Sequence, residues 1–247
     1  MKARTSIIFG IHPVNEALRS GKPIDKILLK QGFRNDVIPG LFPSLREQNI
    51  PFQYVPLEKL NRMTVKNHQG IIALISEIEY TELEQLVPML FEQGKMPALV
   101  ILDGITDVRN LGAIARSAEC AGFHGMVIPS KGSAQINSDA IKTSAGALNS
   151  LPVCRVSNLP DTVKYLKESG FQIVAATEKA ADTIYQSDLK QPTAIIMGAE
   201  DTGIDTQLLK MADQLVRIPM SGSIQSLNVS AAGSVLFFEL VRQRSAV

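Results

Sequence analysis

Apolar residues recur along this chain in two rhythms, short unbroken runs and stripes spaced three and four apart, which predict alternating strands and helices. In the N-terminal part, apolar, β-rich runs at 6–10, 24–29, 51–55 and 70–75 predict strands, and 13–20, 37–48 and 57–64 predict helices. The first helix ends at Gly21, and the second is interrupted near Pro39 and Pro43. That order describes a small α/β sandwich. The polar turn His68-Gln69-Gly70 before the last of these strands reads as a plain turn or as a substrate contact.

From 77 to 95 the pattern changes to five glutamates against one lysine. Leu83, Leu86, Val87, Leu90 and Phe91 form a helical stripe interrupted by Pro88 and ended by Gly94 and Pro97, which predicts a linker carrying a docked helix over 81–93. Beyond it, strands are predicted at 98–103, 125–129, 153–156, 172–177, 193–197 and 215–218. Helices are predicted at 110–120, 160–168, 205–212 and 227–242, with a further one inside 137–149. The fold class is therefore α/β, with a mostly parallel sheet covered on both faces and a smaller α/β domain before it. The expected division is 1–76, a linker at 77–96, and 97–247.

Ligands of such sheets bind beyond the carboxyl ends of the strands, and three of those ends carry unusual residues. After the first strand comes Asp107-Val108-Arg109-Asn110-Leu111-Gly112-Ala113-Ile114-Ala115-Arg116, where Asn110 can cap a helix and Arg116 can face solvent. After the fifth comes the Gly-bounded acidic loop Gly198-Ala199-Glu200-Asp201-Thr202-Gly203. After the sixth comes Ile218-Pro219-Met220-Ser221-Gly222-Ser223-Ile224-Gln225-Ser226-Leu227-Asn228-Val229-Ser230, dense in hydroxyls, with Ser226 or Asn228 as a helix cap. Each reads equally as a capped joint or as a loop offering backbone N–H and C=O groups to a polar ligand.

Composition narrows the class. At 247 residues, 45% hydrophobic and 20% charged, the chain describes an ordinary globular protein without a run of membrane-spanning length. The first five residues are basic without a signal-type apolar core, and Cys120 and Cys154 read as reduced core residues, so the expected location is cytoplasmic. His12, His68 and His124 are scattered and make no metal site. Net charge is only +1, but residues 1–76 hold eleven Lys/Arg against five Asp/Glu, so a basic N-terminal domain precedes an acidic remainder. Such a domain suits a polyanion, or merely a solvated face. No G-x-G-x-x-G or G-x-x-x-x-G-K-[ST] occurs, so any nucleotide-type cofactor must be held by other loops, for which 198–203 and 218–228 are the candidates.

Asn110-x-Gly112-x-x-x-Arg116, Gly198-x-Glu200-x-x-Gly203 and Ile218-Pro219-Met220…Ser226-Leu227-Asn228-Val229-Ser230 together resemble, in order and spacing, the three signature motifs of the SpoU/TrmH family of RNA ribose 2′-O-methyltransferases, within the SPOUT superfamily. The run Ser6-Ile7-Ile8-Phe9-Gly10-Ile11-His12-Pro13-Val14-Asn15-Glu16-Ala17-Leu18, with His68-Gln69-Gly70-Ile71, is similar to the substrate-binding domain of that family's 23S rRNA guanosine methyltransferases. Asp201 and Thr202 fall at variable positions of the second motif.

The resemblance implies a deep trefoil knot in 97–247, a rare exception to unthreaded chains, and a homodimer with its active site near the subunit interface. It implies S-adenosyl-L-methionine as cofactor, held by Gly198, Ile218 and Leu227 with Met220 and Gly203. It implies Arg116 as the catalytic arginine, with Asn110, Glu200, Ser226 and Asn228 around the same site. A guanidinium stays charged in proteins, so the expected role of Arg116 is a cationic anchor for the 2′-oxygen and adjacent phosphate, the proton passing to a phosphate oxygen or water. The N-terminal domain is then expected to grip folded RNA. The other readings are the same chemistry on tRNA, a catalytically silent RNA-binding protein on this scaffold, and an unrelated α/β enzyme with a phosphate loop.

Overall fold

The computed structural model describes residues 6–33 and 37–245. The basic stretch 1–5, and Arg34 and Asp36 of the charge count, lie outside the described residues. The chain divides into two units, Met1–Glu79 with Ile136–Ser138, and Tyr80–Gln135 with Asp139–Val247.

The first unit runs β1 (Ile7–Phe9), α1 (Ile11–Arg19), β2 (Ile24–Lys30), α2 (Leu41–Glu47), β3 (Phe52–Val55), α3 (Leu57–Met63) and β4 (Ile71–Ile75). Its sheet has the order β1-β4-β2-β3, with β4 antiparallel to β1 and β2, and β2 parallel to β3. Alternation along β2 and β4 splits the core in two, as a pleated strand requires. Ile27, Leu29, Ile71 and Ala73 meet Val14 and Leu18 of α1 and Leu41 and Leu45 of α2. Leu28, Ile72 and Leu74 meet Leu60 of α3 on the other face. Helix α1 starts two residues before the expected Pro13, because the Gln69 Oε1 accepts a hydrogen bond from Ile11 N at 2.9 Å and supplies the missing cap. Helix α2 is shorter than 37–48: its first residue follows Gly40, held at φ 77, and Pro43 sits in its first turn, where no N–H is needed.

The second unit opens with α4 (Leu83–Glu92), which runs through Pro88 without a break, contrary to the interruption expected there. Pro88 costs the helix about 3 kcal/mol. Burial of Leu83, Leu86, Val87 and Leu90, at about 1.5–3 kcal/mol each, outweighs it. These four side chains belong to the core of this unit, packed with Leu99 and Ile101. Then come β5 (Ala98–Asp103), α5 (Val108–Cys120), β6 (Gly125–Pro129), α6 (Ser138–Thr143), β7 (Val153–Val156), α7 (Leu159–Glu168), β8 (Gln172–Ala176), β9 (Asp182–Thr183), β10 (Thr193–Gly198), α8 (Thr206–Met211), β11 (Gln214–Arg217) and α9 (Val229–Ser245). The two-residue β9 has no counterpart in the predicted pattern.

All the pairings of the seven-stranded sheet are parallel, in the order β7-β6-β5-β10-β8-β11-β9. Helices α4, α7 and α8 cover one face. On the other, α5 packs along α9, with Ser117 Oγ and Ser234 Oγ 2.8 Å apart and the Phe123 and Phe237 rings 4.4 Å apart. Gly233 of α9 lets that helix close on β10: an added Cβ there would lie 3.1 Å from Met197 Cε. Cys154 is buried, which pushes its thiol up to about 12, whereas Cys120 is exposed at the end of α5 and is not the core residue expected. Among the described residues no helix is long and apolar enough to cross a membrane.

The C-terminal turn of α9 is fastened by Arg244, which the sequence pattern does not single out. Its Nε donates to Leu189 O at 3.0 Å, Nη1 to Met96 O at 2.6 Å, and Nη2 to Gln191 O at 2.6 Å and Pro97 O at 3.3 Å. A planar guanidinium alone can serve so many carbonyls at once. Arg244→Met is expected to lower unfolding free energy by about 2–4 kcal/mol, since carbonyls from two segments lose charged donors. Urea unfolding checks this, and Arg244→Lys should recover less than half; equal stability for all three proteins would show the fastening to be idle.

Candidate active site

The strand order creates the site. β10 lies between β5 and β8, so the chain reverses its direction of sheet growth there, and ligands of open parallel sheets sit at such a switch point beyond the carboxyl ends. A cavity of about 460 Å³ lies there, walled by the ends of β8, β10 and β11 and by the loop leading into α9. That volume falls within the roughly 300–1,000 Å³ of small-molecule sites.

All five residues expected to hold cofactor line it: Gly198, Gly203, Ile218, Met220 and Leu227. Ile204, Val216, Val229 and Leu236 add apolar wall, and Thr177, Glu178, Glu200, Arg217, Gln225, Ser226 and Asn228 add polar groups. Gly198 ends β10 opposite Asp103 of β5. The loop after it folds back tightly: Gly203, at φ 71, donates from its N to Ala199 O at 2.9 Å, and an added Cβ on Gly198 would lie 2.2 Å from Gly203 C. Only glycine fits at 198, so backbone rather than side chain forms this wall. Asp103 Oδ2 accepts from Asp205 N at 2.7 Å and fixes the far end of the same loop.

Glu200 is the hub of the mouth. Its Oε1 accepts hydrogen bonds from Asn228 Nδ2, from Val229 N at 3.1 Å and from Asn110 Nδ2 at 3.4 Å. Asn228 Nδ2 also donates to Asn110 Oδ1 at 3.0 Å. Three residues 90 and 28 positions apart from one another along the chain are thereby tied together. Asn228 caps α9 as well, its Oδ1 accepting from Ser230 N at 3.0 Å. Asn110, however, does not cap α5. Asp107 does, accepting from Arg109 N at 2.8 Å and Asn110 N at 2.9 Å, which starts the helix two residues early and leaves the Asn110 side chain free for Glu200.

Two of the expected residues stand apart from this cluster. Ser226 lines the cavity but makes no hydrogen bond among the described residues. Arg116 is exposed on α5, does not line the cavity, and has no hydrogen bond or ion pair among the described residues. Six residues beyond Asn110, it lies about 9 Å along the helix and about 120° round it. Gly112, one turn before Arg116, faces α6: its added Cβ would lie 2.8 Å from Ala140 O. Thr177, Glu178 and Arg217 are cavity residues that the sequence reading missed. Their signal was a strand end, but no pattern in the chain says that β8 lies between β10 and β11.

Comparison with known proteins follows the same division. The model of the SpoU rRNA methylase family matches residues 97–238, and that of the RNA 2′-O ribose methyltransferase substrate-binding domain matches residues 7–81. A protein named as a TrmH family tRNA/rRNA methyltransferase in Staphylococcus haemolyticus is 35% identical over 241 residues, covering 98% of this chain and 97% of that one. One of the same family name in Bacillus subtilis is 32% identical over 247 residues, covering 100% of this chain and 99% of that one. The SpoU methyltransferase AviRb of Streptomyces viridochromogenes, solved in complex with AdoMet, superposes with a TM-score of 0.62 at 25% identity, covering 98% of this chain and 91% of that one. An AdoMet-bound rRNA methyltransferase of Sinorhizobium meliloti shares the fold with a TM-score of 0.62 at 24% identity, covering 97% of this chain and 87% of that one. With both of its units matched and relatives aligned along nearly its whole length, the chain belongs to the SpoU/TrmH family of RNA methyltransferases.

Proposed function

We propose that this protein transfers a methyl group from S-adenosyl-L-methionine to a ribose 2′-hydroxyl of RNA, a guanosine of 23S rRNA, as a homodimer. The observation that carries the reading is the meeting of Asn110, Glu200 and Asn228 at the mouth of a cavity lined by Gly198, Gly203, Ile218, Met220 and Leu227. The cavity fits the cofactor on its donor set as well as its size. Apolar walls from Ile218, Leu227 and Leu236 suit a flat adenine, and the Gly198 turn keeps backbone groups within reach of its edge and of the ribose. Glu178 and Glu200 against Arg217 leave a net negative rim, favourable to a sulfonium cation. The resemblance of the run Ser6–Leu18 and of His68-Gln69-Gly70-Ile71 to the 23S rRNA enzymes supports rRNA over the tRNA alternative. The trefoil knot within 97–247 and a cytoplasmic location belong to the same reading.

When bound, the cofactor supplies an already activated methyl group, so the chain has to place the ribose oxygen in line and stabilise its developing charge. Glu200 holds Asn228 and Asn110 in fixed orientation, leaving Ser226 to bond ribose or phosphate. Arg116 anchors the 2′-oxygen and adjacent phosphate as a cation, and the proton leaves to a phosphate oxygen or water. Since Arg116 is turned away from the cluster on its own helix, it serves the site of a second copy across a two-fold interface. Helix α9 supports such an interface: Phe238 is 50% exposed on its outer side, while Phe237 and Leu240 fill the core.

A methyl-transfer assay on unmodified rRNA and tRNA tests the activity, and mapping of the modified position tests the guanosine. Arg116→Ala should abolish transfer with cofactor affinity unchanged. Mixed and re-equilibrated with Glu200→Ala, it should regain about a quarter of wild-type activity, because half the dimers then carry one intact composite site. Absence of recovery in dimers shown to have exchanged would place Arg116 in its own subunit's site; full activity of Arg116→Ala would remove it from the reaction.

A further inference from the structure

One end of the first unit's sheet gathers what the reaction has not used. The carboxyl ends of β1, β2 and β3 and the start of β4 lie together there, since Ile71 pairs with Leu29 and Gly10 N donates to Ile71 O at 3.2 Å. Lys30 pairs with Val55, so α3 also begins at this end. The turn before β4 is locked there to the start of α1 and to α3. Gln69 Oε1 accepts from Ile11 N at 2.9 Å, Gly70 N donates to His68 Nδ1 at 3.0 Å, and His68 Nε2 lies 2.9 Å from Asn61 Oδ1. With Nδ1 accepting, Nε2 carries the proton and donates to Asn61, so His68 fastens α3 to the turn. The turn is strained: Gln69 holds φ 51, a left-handed backbone that a non-glycine residue adopts at a cost, and Gly70 follows at φ 85. The stem of Lys30 lies across Gly70 so closely that a Cβ there would sit 2.6 Å from Lys30 Cδ.

Charge is distributed unequally between the two ends. Around this locked end Lys30, Lys59, Arg62 and Lys66 are exposed and make no ion pair among the described residues, and among those residues Glu58 is the acid that shares α3 with Lys59 and Arg62. Toward the opposite end Arg19, Lys22 and Arg46 are outnumbered by Asp25, Glu47, Glu77 and Glu79. The basic excess of the described unit is thus concentrated at the end that carries the His68-Gln69-Gly70 turn. Like charges held together on a rigid platform repel one another, and a polyanion relieves that repulsion.

We propose that this end of the first unit, with Lys30, Arg62 and Lys66 reading phosphates around the fixed His68-Gln69-Gly70 turn, is the surface that docks the RNA substrate. The inference rests on the RNA-methyltransferase reading above and adds to it which face of the unit makes contact. Exposed side chains are involved, so substitutions leave the fold intact. The triple variant Lys30→Gln, Arg62→Gln, Lys66→Gln is compared with Arg19→Gln, Lys22→Gln, Arg46→Gln, which removes the same charge from the other end. Filter binding of the full-length proteins to unmodified large-subunit rRNA transcript, from about 50 to 200 mM salt, gives the readout, with calorimetric titration of S-adenosylmethionine as control. The first variant is expected to lose tenfold or more in RNA affinity and to flatten the salt slope by about 2–3, with unchanged cofactor binding. The second is expected to stay within about twofold. Equal losses in the two variants, or none in the first, overturn the inference while leaving the enzyme reading standing. Wild-type protein that binds cofactor but no rRNA transcript overturns the rRNA reading, and this docking surface with it.

Discussion

Gly198→Ala is expected to weaken binding of S-adenosylmethionine by at least about 100-fold, equivalent to about 2.7 kcal/mol. The added Cβ would lie 2.2 Å from Gly203 C, 2.4 Å from Gly203 O and 2.4 Å from Ile204 N. All three are backbone atoms of a turn closed by the Gly203 N to Ala199 O hydrogen bond, so no side chain can swing aside to make room. The turn must open, and with it move the cavity wall at 198–204 and Glu200. Gly222→Ala provides the control, because nothing lies within 4 Å of its added Cβ and its backbone is not left-handed. That variant should bind within about twofold of wild type, since its site has space and no strain. Calorimetric titration with S-adenosylmethionine and S-adenosylhomocysteine measures both, and circular dichroism checks the fold. Wild-type affinity in Gly198→Ala would mean that the cofactor does not depend on this turn.

The prediction depends on a contact that the chain hides. A loop bounded by Gly198 and Gly203 is visible in the sequence, but the reason for the first glycine appears only when the loop is seen folded back on itself. Strands such as β5 and β10, buried on both faces, are legible because they read as unbroken apolar runs. Their neighbours are not, because an apolar run carries no record of which strand it pairs with. The placement of β10 between β5 and β8 therefore decides the site without leaving a local signal, and Thr177 and Glu178 enter the cavity unannounced. Helix ends suffer from a similar ambiguity. Asp107 and Asn110 are both good capping residues, and only the backbone shows that Asp107 takes the role. The motif spacing from Asn110 to Arg116 is equally silent on direction: it puts both on one helix and turns them to different sides. Arg244 lies beyond the matched family region, and its four carbonyl partners come from residues about 50 and 150 positions away.

Glu200→Ala should lower methyl transfer by about 100-fold or more while leaving the protein folded, at an expense of about 1 kcal/mol in stability because the carboxylate is exposed. The carboxylate is the single acceptor that joins α5, the β10 loop and the start of α9 through Asn110, Asn228 and Val229 N. Without it Val229 N loses its acceptor and the Asn110–Asn228 pair loses its third member. The two amides then sample several orientations, and if they orient substrate as proposed, a misplacement of about 1 Å costs roughly 100-fold in rate. Glu200→Gln separates geometry from charge. All three donors reach the one oxygen Oε1, which the Gln carbonyl can replace, so the geometry is kept and only the charge is lost; transfer should fall by about tenfold, between wild type and Ala. A positioning role predicts that kcat falls further than cofactor affinity in both variants, since the cavity walls at Ile218 and Leu227 are untouched. If affinity falls and kcat does not, Glu200 holds the cofactor directly; if both variants transfer methyl groups at the wild-type rate, the cluster at the mouth is only a structural joint.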